Sequence, residues 1–144
     1  MTIAAILKYK GHEIASVRPT ATVAEAARLL SARRIGAVVV LDAAGGLLGI
    51  LSERDIVHAI AGHGARALDM TTAHLMTQQV ETASPATTIP QAMAIMTDGR
   101  FRHLPVMDHG RLIGIVSIGD IVKARISQQE YEVDSLKAYV AGVA

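Results

Sequence analysis

With 144 residues, 51% of them hydrophobic and none of them cysteine, the chain can bury a sizeable core but cannot build disulfides, Cys-type zinc sites or a thiol nucleophile. A formal net charge of +1 without any Lys/Arg run argues against a polybasic nucleic-acid surface, and 3% aromatics leave Ala, Val, Ile and Leu to fill the interior. The first apolar run, IAAIL at 3–7, is too short for a signal-peptide core or a membrane span, so a cytoplasmic protein with no membrane partner is expected.

Along the chain, an extended piece (EIASV, 13–17) leads to Thr22, after which apolar residues recur at helical spacing. The TVAE stretch is a capping box, with Glu25 placed to reach back to the helix start. Two runs without helical period follow, AVVVL at 37–41 and LLGIL at 47–51. The DAAGG turn between them reads as the tip of a hairpin. Ser52 opens a second helix, and residues 61–75 form a structured linker with two glycines and a short helical turn.

The plan then repeats. A shift of 66 lays RPTATVAEAARLL (18–30) on SPATTIPQAMAIM (84–96) and Asp42 on Asp108. QVETA (79–83) repeats the extended piece, and TIPQ repeats the capping box with Gln91, with Pro90 in the first turn where its missing N–H costs little. HLPVM and LIGIV repeat the hairpin around Asp108-His109-Gly110, and Ser117 opens the last helix. Each half is therefore β-α-β-β-α. At about 55 residues it is small for independent stability, so the halves should pack together through sheets and helices. Residues 126–144 extend the last helix, either as a partly exposed packing helix or as a dimer contact.

The end of each half carries the same loop, GILSERDIV at 49–57 and GIVSIGDIV at 114–122, identical at six of nine positions. Ser at a helix N-cap with Asp three residues on is a capping arrangement, and stability alone explains one copy. The repeated unit, its G-h-h-S-x-x-D ending (h apolar) and the block RHLPVMDHGRLIGIVSIGDIV closely resemble the cystathionine β-synthase (CBS) domain, and the tandem resembles a CBS pair, or Bateman module, from about Ile6 to Val122. The resemblance implies an α+β fold of tandem repeats with pseudo-two-fold symmetry. The expected boundaries are 6–60 and 76–125 for the repeats, 61–75 for the linker and 126–144 for the tail.

It also implies clefts between the halves that take adenosine-containing ligands. AMP is foremost; ADP, ATP, NAD and S-adenosylmethionine remain open. Asp55 and Asp120 would accept from the ribose hydroxyls, with Ser52 and Ser117 beside them. A carboxylate suits a vicinal diol because it offers two acceptor oxygens, and the helix N-terminus next to it favours phosphate. By family pattern the Asp120 cleft adds Lys10, Ile14, Ala15 and Ser16, and the Asp55 cleft adds Met76, Thr77, Val80, Glu81 and Thr82. Ahead of each hairpin stand Gly36 and Ala37 in the first half and Arg102 and His103 in the second, assigned to the Asp55 and Asp120 clefts respectively. The basic pair predicts firmer phosphate binding beside Asp120. Arg54, with Arg33 or Arg34 nearby, is the expected cation for the Asp55 cleft.

Catalysis is not expected. Of the six histidines only His58 stands one helical turn from a carboxylate, Asp55, and neither repeated serine lies in G-x-S-x-G. No metal is expected either. The resemblance implies a homodimer whose signal passes to a separate effector protein, the alternative being an interaction dimer without a physiological nucleotide.

Overall fold

The structure, a computed structural model, describes residues 1–142; Val143 and Ala144 at the end of the expected tail lie outside the described residues. The chain forms α1 (Ile3–Lys10), β1 (Ser16–Val17), α2 (Val23–Arg33), β2 (Ala37–Leu41), β3 (Leu47–Ser52) and α3 (Glu53–His63). A 3-10 segment (Gly64–Asp69) and α4 (Thr72–Leu75) lead to α5 (Ile89–Gly99), β4 (His103–Asp108), β5 (Arg111–Ser117) and α6 (Ile118–Val140). One sheet has the order β1-β2-β3, the other β4-β5, and both hairpins are antiparallel.

Local chemistry accounts for most of these boundaries. Asp42 holds the first hairpin turn by accepting from the N–H groups of Ala44 and Gly46 at 2.9 and 2.7 Å. The second turn is two residues long, with His109 and Gly110 at φ 51° and 77°, the signature of the type I′ turn that matches strand twist. Thr88 and Gln91 complete a reciprocal capping box at α5. At α2 the expected box is only half made: Thr22 accepts from the Glu25 N–H, while the exposed Glu25 carboxylate stays in water.

The repeat is not perfect, and proline explains one difference. β1 pairs in parallel with β2, and the Val39 N–H donates to the Ala15 carbonyl. In the second half the expected strand at 79–83 shrinks to a single bridge, Ala83 to Val106. Pro105 stands where Val39 stands and has no N–H to donate to the preceding rung.

The helix α1 has no counterpart among the elements expected from the sequence, the first of which is the extended piece at 13–17. Ile3, Ile6 and Leu7 are buried in the second half's core with Ile89, Met96, Leu104, Val116 and Ile121, so an eight-residue helix is secured by partners distant in sequence. Its start is tied by Ile3 N–H to Thr87 O (2.9 Å) and Ala4 N–H to Pro85 O (3.0 Å). Residues before α5 mirror this on the first half: Thr72 N–H donates to Ala21 O (2.8 Å) and Ala73 N–H to Pro19 O (3.1 Å). Leu75 of α4 then packs against the core of Val23, Leu30, Val38, Leu51 and Ile56. Each half is thus closed by a segment that precedes the other half, which interlocks the two. Among the described residues, no helix is long and apolar enough to cross a membrane.

Candidate functional site

The two repeated loops fold alike. In each, the serine side chain caps a helix by accepting from the aspartate N–H, at 3.2 Å for Ser52 and 3.1 Å for Ser117. The aspartate returns the bond, its Oδ2 accepting from the serine N–H at 2.8 Å in both copies. Capping therefore occupies one carboxylate oxygen only. Among the described residues, Oδ1 of Asp55 and of Asp120 has no hydrogen-bond partner.

The two carboxylates differ in one contact. Lys10, at the end of α1, donates to Asp120 Oδ2 at 2.6 Å and to the Ile115 carbonyl at 2.7 Å. Burial works against ionisation of Asp120, but the Lys10 ammonium and the Ser117 N–H outweigh it and hold the carboxyl below its ordinary value. Among the described residues no ion pair engages Asp55.

Each aspartate lines a cleft built from both halves, of about 580 Å³ at Asp55 and 560 Å³ at Asp120. These volumes fall within the range of small-molecule sites, roughly 300–1,000 Å³. Of the residues expected beside Asp120, the structure brings Lys10, Ala15, Arg102, His103 and Ser117 to the cleft. Ile14 and Ser16 are outside its lining, since neighbours of Ala15 in extended chain point to the opposite side. Of those expected beside Asp55, Gly36, Ser52, Arg54, Thr77, Val80 and Glu81 line the cleft. Met76 does not, because its thioether packs against Gly49; Thr82 lies beyond the lining stretch and is exposed.

The segments ahead of the hairpins serve the clefts crosswise. Residues 33–37 line the Asp120 cleft, so Ala37 belongs there and not beside Asp55, as do Arg33 and Arg34. Residues 99–103 line the Asp55 cleft and bring Arg100 and Phe101, which the sequence reading missed. The shift of 66 carries Arg34 to Arg100 and Ile35 to Phe101; applying the repeat across the halves would have found both. Arg34 and Arg100 also share a left-handed helix cap, φ 54° and 57°, a conformation more at home with glycine.

Gly36, Glu53, Arg102 and His103 border both clefts. A Cβ at Gly36 would stand 2.8 Å from the His103 ring, so the absence of a side chain there lets the imidazole sit between the clefts. Burial lowers the His103 pKa, aided by Lys10 and Arg102 and opposed by Glu53 and Asp120. These surroundings favour the neutral imidazole. Arg102 and His103, expected to mark one cleft, are common property. The distinguishing cations are Lys10, Arg33 and Arg34 at Asp120 against Arg54 and Arg100 at Asp55, and only the Asp120 cleft has more cations than carboxylates on its walls. Among the described residues no cluster of His, Asp and Glu could hold a metal ion.

The comparisons agree with this architecture. The crystal structure of the CBS-domain containing protein ATU1752 from Agrobacterium tumefaciens is 49% identical, with a TM-score of 0.84, covering 86% of this chain and 92% of that one. The CBS domain protein PAE2072 from Pyrobaculum aerophilum, complexed with AMP, is 26% identical with a TM-score of 0.74, covering 83% and 89%. The CBS domain pair of protein MJ0100, in complex with 5′-methylthioadenosine and S-adenosyl-L-methionine, is 25% identical with a TM-score of 0.79, covering 89% and 98%. The mitochondrial CBS domain-containing protein CBSX3 of Arabidopsis thaliana is 35% identical over 125 residues, 84% of this chain, which spans 61% of that relative's length. The family model for the CBS domain matches twice, at residues 9–62 and 73–127. The chain belongs to the CBS-domain family as a tandem pair.

Proposed function

We propose that this chain is a regulatory CBS pair that takes adenosine-containing ligands in its two clefts, without catalysis or a metal of its own, and signals as a cytoplasmic homodimer to a separate effector protein. AMP is the foremost ligand, with ADP, ATP and NAD as alternatives. The observation that carries the reading is the pair of helix-capping aspartates, each with an unspent carboxylate oxygen, each lining a cleft of nucleotide size. The AMP and S-adenosylmethionine complexes of the related pairs support the adenosine class.

The two clefts suit different members of that class. At Asp55 the carboxylate is unpaired and Phe101 offers an aromatic face, which fits a neutral adenosine. At Asp120 a diol must share or displace Lys10. That ion pair is half-exposed and worth about 0–1 kcal/mol. Each charge-assisted bond to a phosphate is worth roughly 1.5–3 kcal/mol, so the exchange favours a phosphorylated ligand, with Lys10 turning from Asp120 to the phosphate. Because each cleft is walled by both halves, a ligand that prefers one arrangement of the halves shifts the pair toward it.

Thermal unfolding tests the reading. AMP, ADP, ATP, NAD and S-adenosylmethionine are added singly, and at least one should raise the midpoint by several degrees at about 100 times its Kd. Silence across the set favours the alternative of an interaction dimer with unused clefts, a reading to which Lys10 on Asp120 gives some weight. Binding should also take up protons. A phosphate beside His103 raises its depressed pKa, so AMP affinity increases as pH falls through the range in which the bound imidazole takes up its proton. Calorimetry in buffers of different ionisation enthalpy should register this uptake, and His103→Gln should abolish it.

A further inference from the structure

The last helix outruns the fold. α6 has 23 residues where its counterpart α3 has 11. Ile121 is fully buried and Ile118 and Ala124 pack on the same core, but the later turns leave it. Val122, Ile126, Val133, Leu136 and Val140 are 44%, 50%, 51%, 63% and 77% exposed. At 3.6 residues per turn these five fall within about 40° of one line along the helix. An overhang of about three turns is marginal in water by itself, and an apolar stripe along it calls for a partner.

On a heptad frame Ile126, Val133 and Val140 take the a positions, and Val122, Gln129 and Leu136 the d positions. β-Branched residues at a with Leu at d favour two parallel strands. We propose that this stripe is the seam of a short parallel coiled coil formed with α6 of a second copy of the chain. The charges fit a second copy laid in parallel as the occupant. The flanking g and e positions hold Lys123, Arg125, Glu130, Glu132, Lys137 and Tyr139, of which Arg125, Glu130, Glu132 and Lys137 form the charged g–e′ pairs. In a parallel pair in register, Arg125 faces the second copy's Glu130, and Glu132 faces the second copy's Lys137, so both charged g–e′ pairs are opposite in sign. Gln129 meets its own copy across the two-fold axis, where two amides can bond each other. A shifted register would set it against valine or leucine, which penalises slippage. Tyr131, 74% exposed, falls at the outer f position, away from the seam.

The inference rests on the homodimer in the proposed function but is independent of any nucleotide. At about two and a half heptads the seam adds to whatever interface the folded halves make. Sedimentation of the full chain tests it. Val133→Asp with Leu136→Asp should raise the dimer dissociation constant at least about tenfold. Glu132→Lys should weaken the dimer by setting lysine against Lys137, and adding Lys137→Glu should restore it, a rescue that damage to folding would not produce. The native chain has no cysteine, so Val133→Cys carries a single thiol. It should cross-link readily on oxidation, and Tyr131→Cys should not. A dimer unaffected by the aspartates, or cross-linking no faster at Val133→Cys than at Tyr131→Cys, overturns the seam and leaves the homodimer standing. A monomeric native chain, including one that captures a foreign helix instead, overturns both.

Discussion

Asp120→Ala is expected to weaken AMP binding at its own cleft by roughly tenfold to a hundredfold, and Asp55→Ala to do the same for adenosine. Each substitution removes the free carboxylate oxygen that would accept from the ribose, and one hydrogen bond to a charged group is worth about 1.5–3 kcal/mol, a factor of roughly ten to a hundred. The AMP loss should lie toward the lower end, because removing Asp120 also releases Lys10 to meet the phosphate. Both variants lose the return bond of a capping box, so Asp→Asn variants, which keep an acceptor oxygen for the serine N–H, serve as controls for helix stability. Calorimetry with both ligands separates the contributions. Equal losses of AMP in the two alanine variants contradict the division between clefts, and no loss in either contradicts the ribose role.

The second large effect concerns a glycine that both loops share. Gly49→Ala should cost about 1–3 kcal/mol and lower the unfolding midpoint by roughly 3–10 °C. Its Cβ would stand 2.6 Å from the Met76 sulfur and 2.8 Å from the Thr77 carbonyl, and the carbonyl is backbone that cannot swing aside. Ile50 and Thr77 exchange hydrogen bonds of 3.1 and 2.9 Å at this point, so the methyl pries apart the strand and the segment that closes it. Both residues also line the Asp55 cleft, which should bind less well. Gly114→Ala meets only the end of the Leu7 side chain at 2.8 Å, which can move, so its cost should be less than half as large. A Gly114 variant as unstable as the Gly49 variant would contradict this ranking.

Identical letters thus occupy unlike surroundings, and that marks how far the sequence could be read. Caps and hairpins were legible because their chemistry is local: Ser52 with Asp55, Thr88 with Gln91, and the tight turn at His109-Gly110 all lie within a few residues. The contacts that distinguish the clefts are not local. Lys10 reaches Asp120 across 110 residues, and nothing near α1 announces that its apolar face belongs to the other half. The crosswise service of residues 33–37 and 99–103 was hidden for the same reason, since the repeat reveals which residues are equivalent but not which half they face. The lost strand at 79–83 was foreseeable from Pro105, whose missing N–H is a local fact with a distant consequence.

The central claim is that two clefts, each organised by a capping aspartate, take adenosine-containing ligands. Native mass spectrometry of the full chain titrated with AMP tests it most directly, because bound ligands per chain and copies per assembly appear in one spectrum. The account predicts dimers that take one AMP per chain first, at the Asp120 cleft, and a second only at higher AMP, with the Asp55→Ala/Asp120→Ala double variant remaining folded and losing both. A folded chain that stays free of AMP, ADP, ATP, NAD and S-adenosylmethionine, or a double variant that binds as the native chain does, would contradict it.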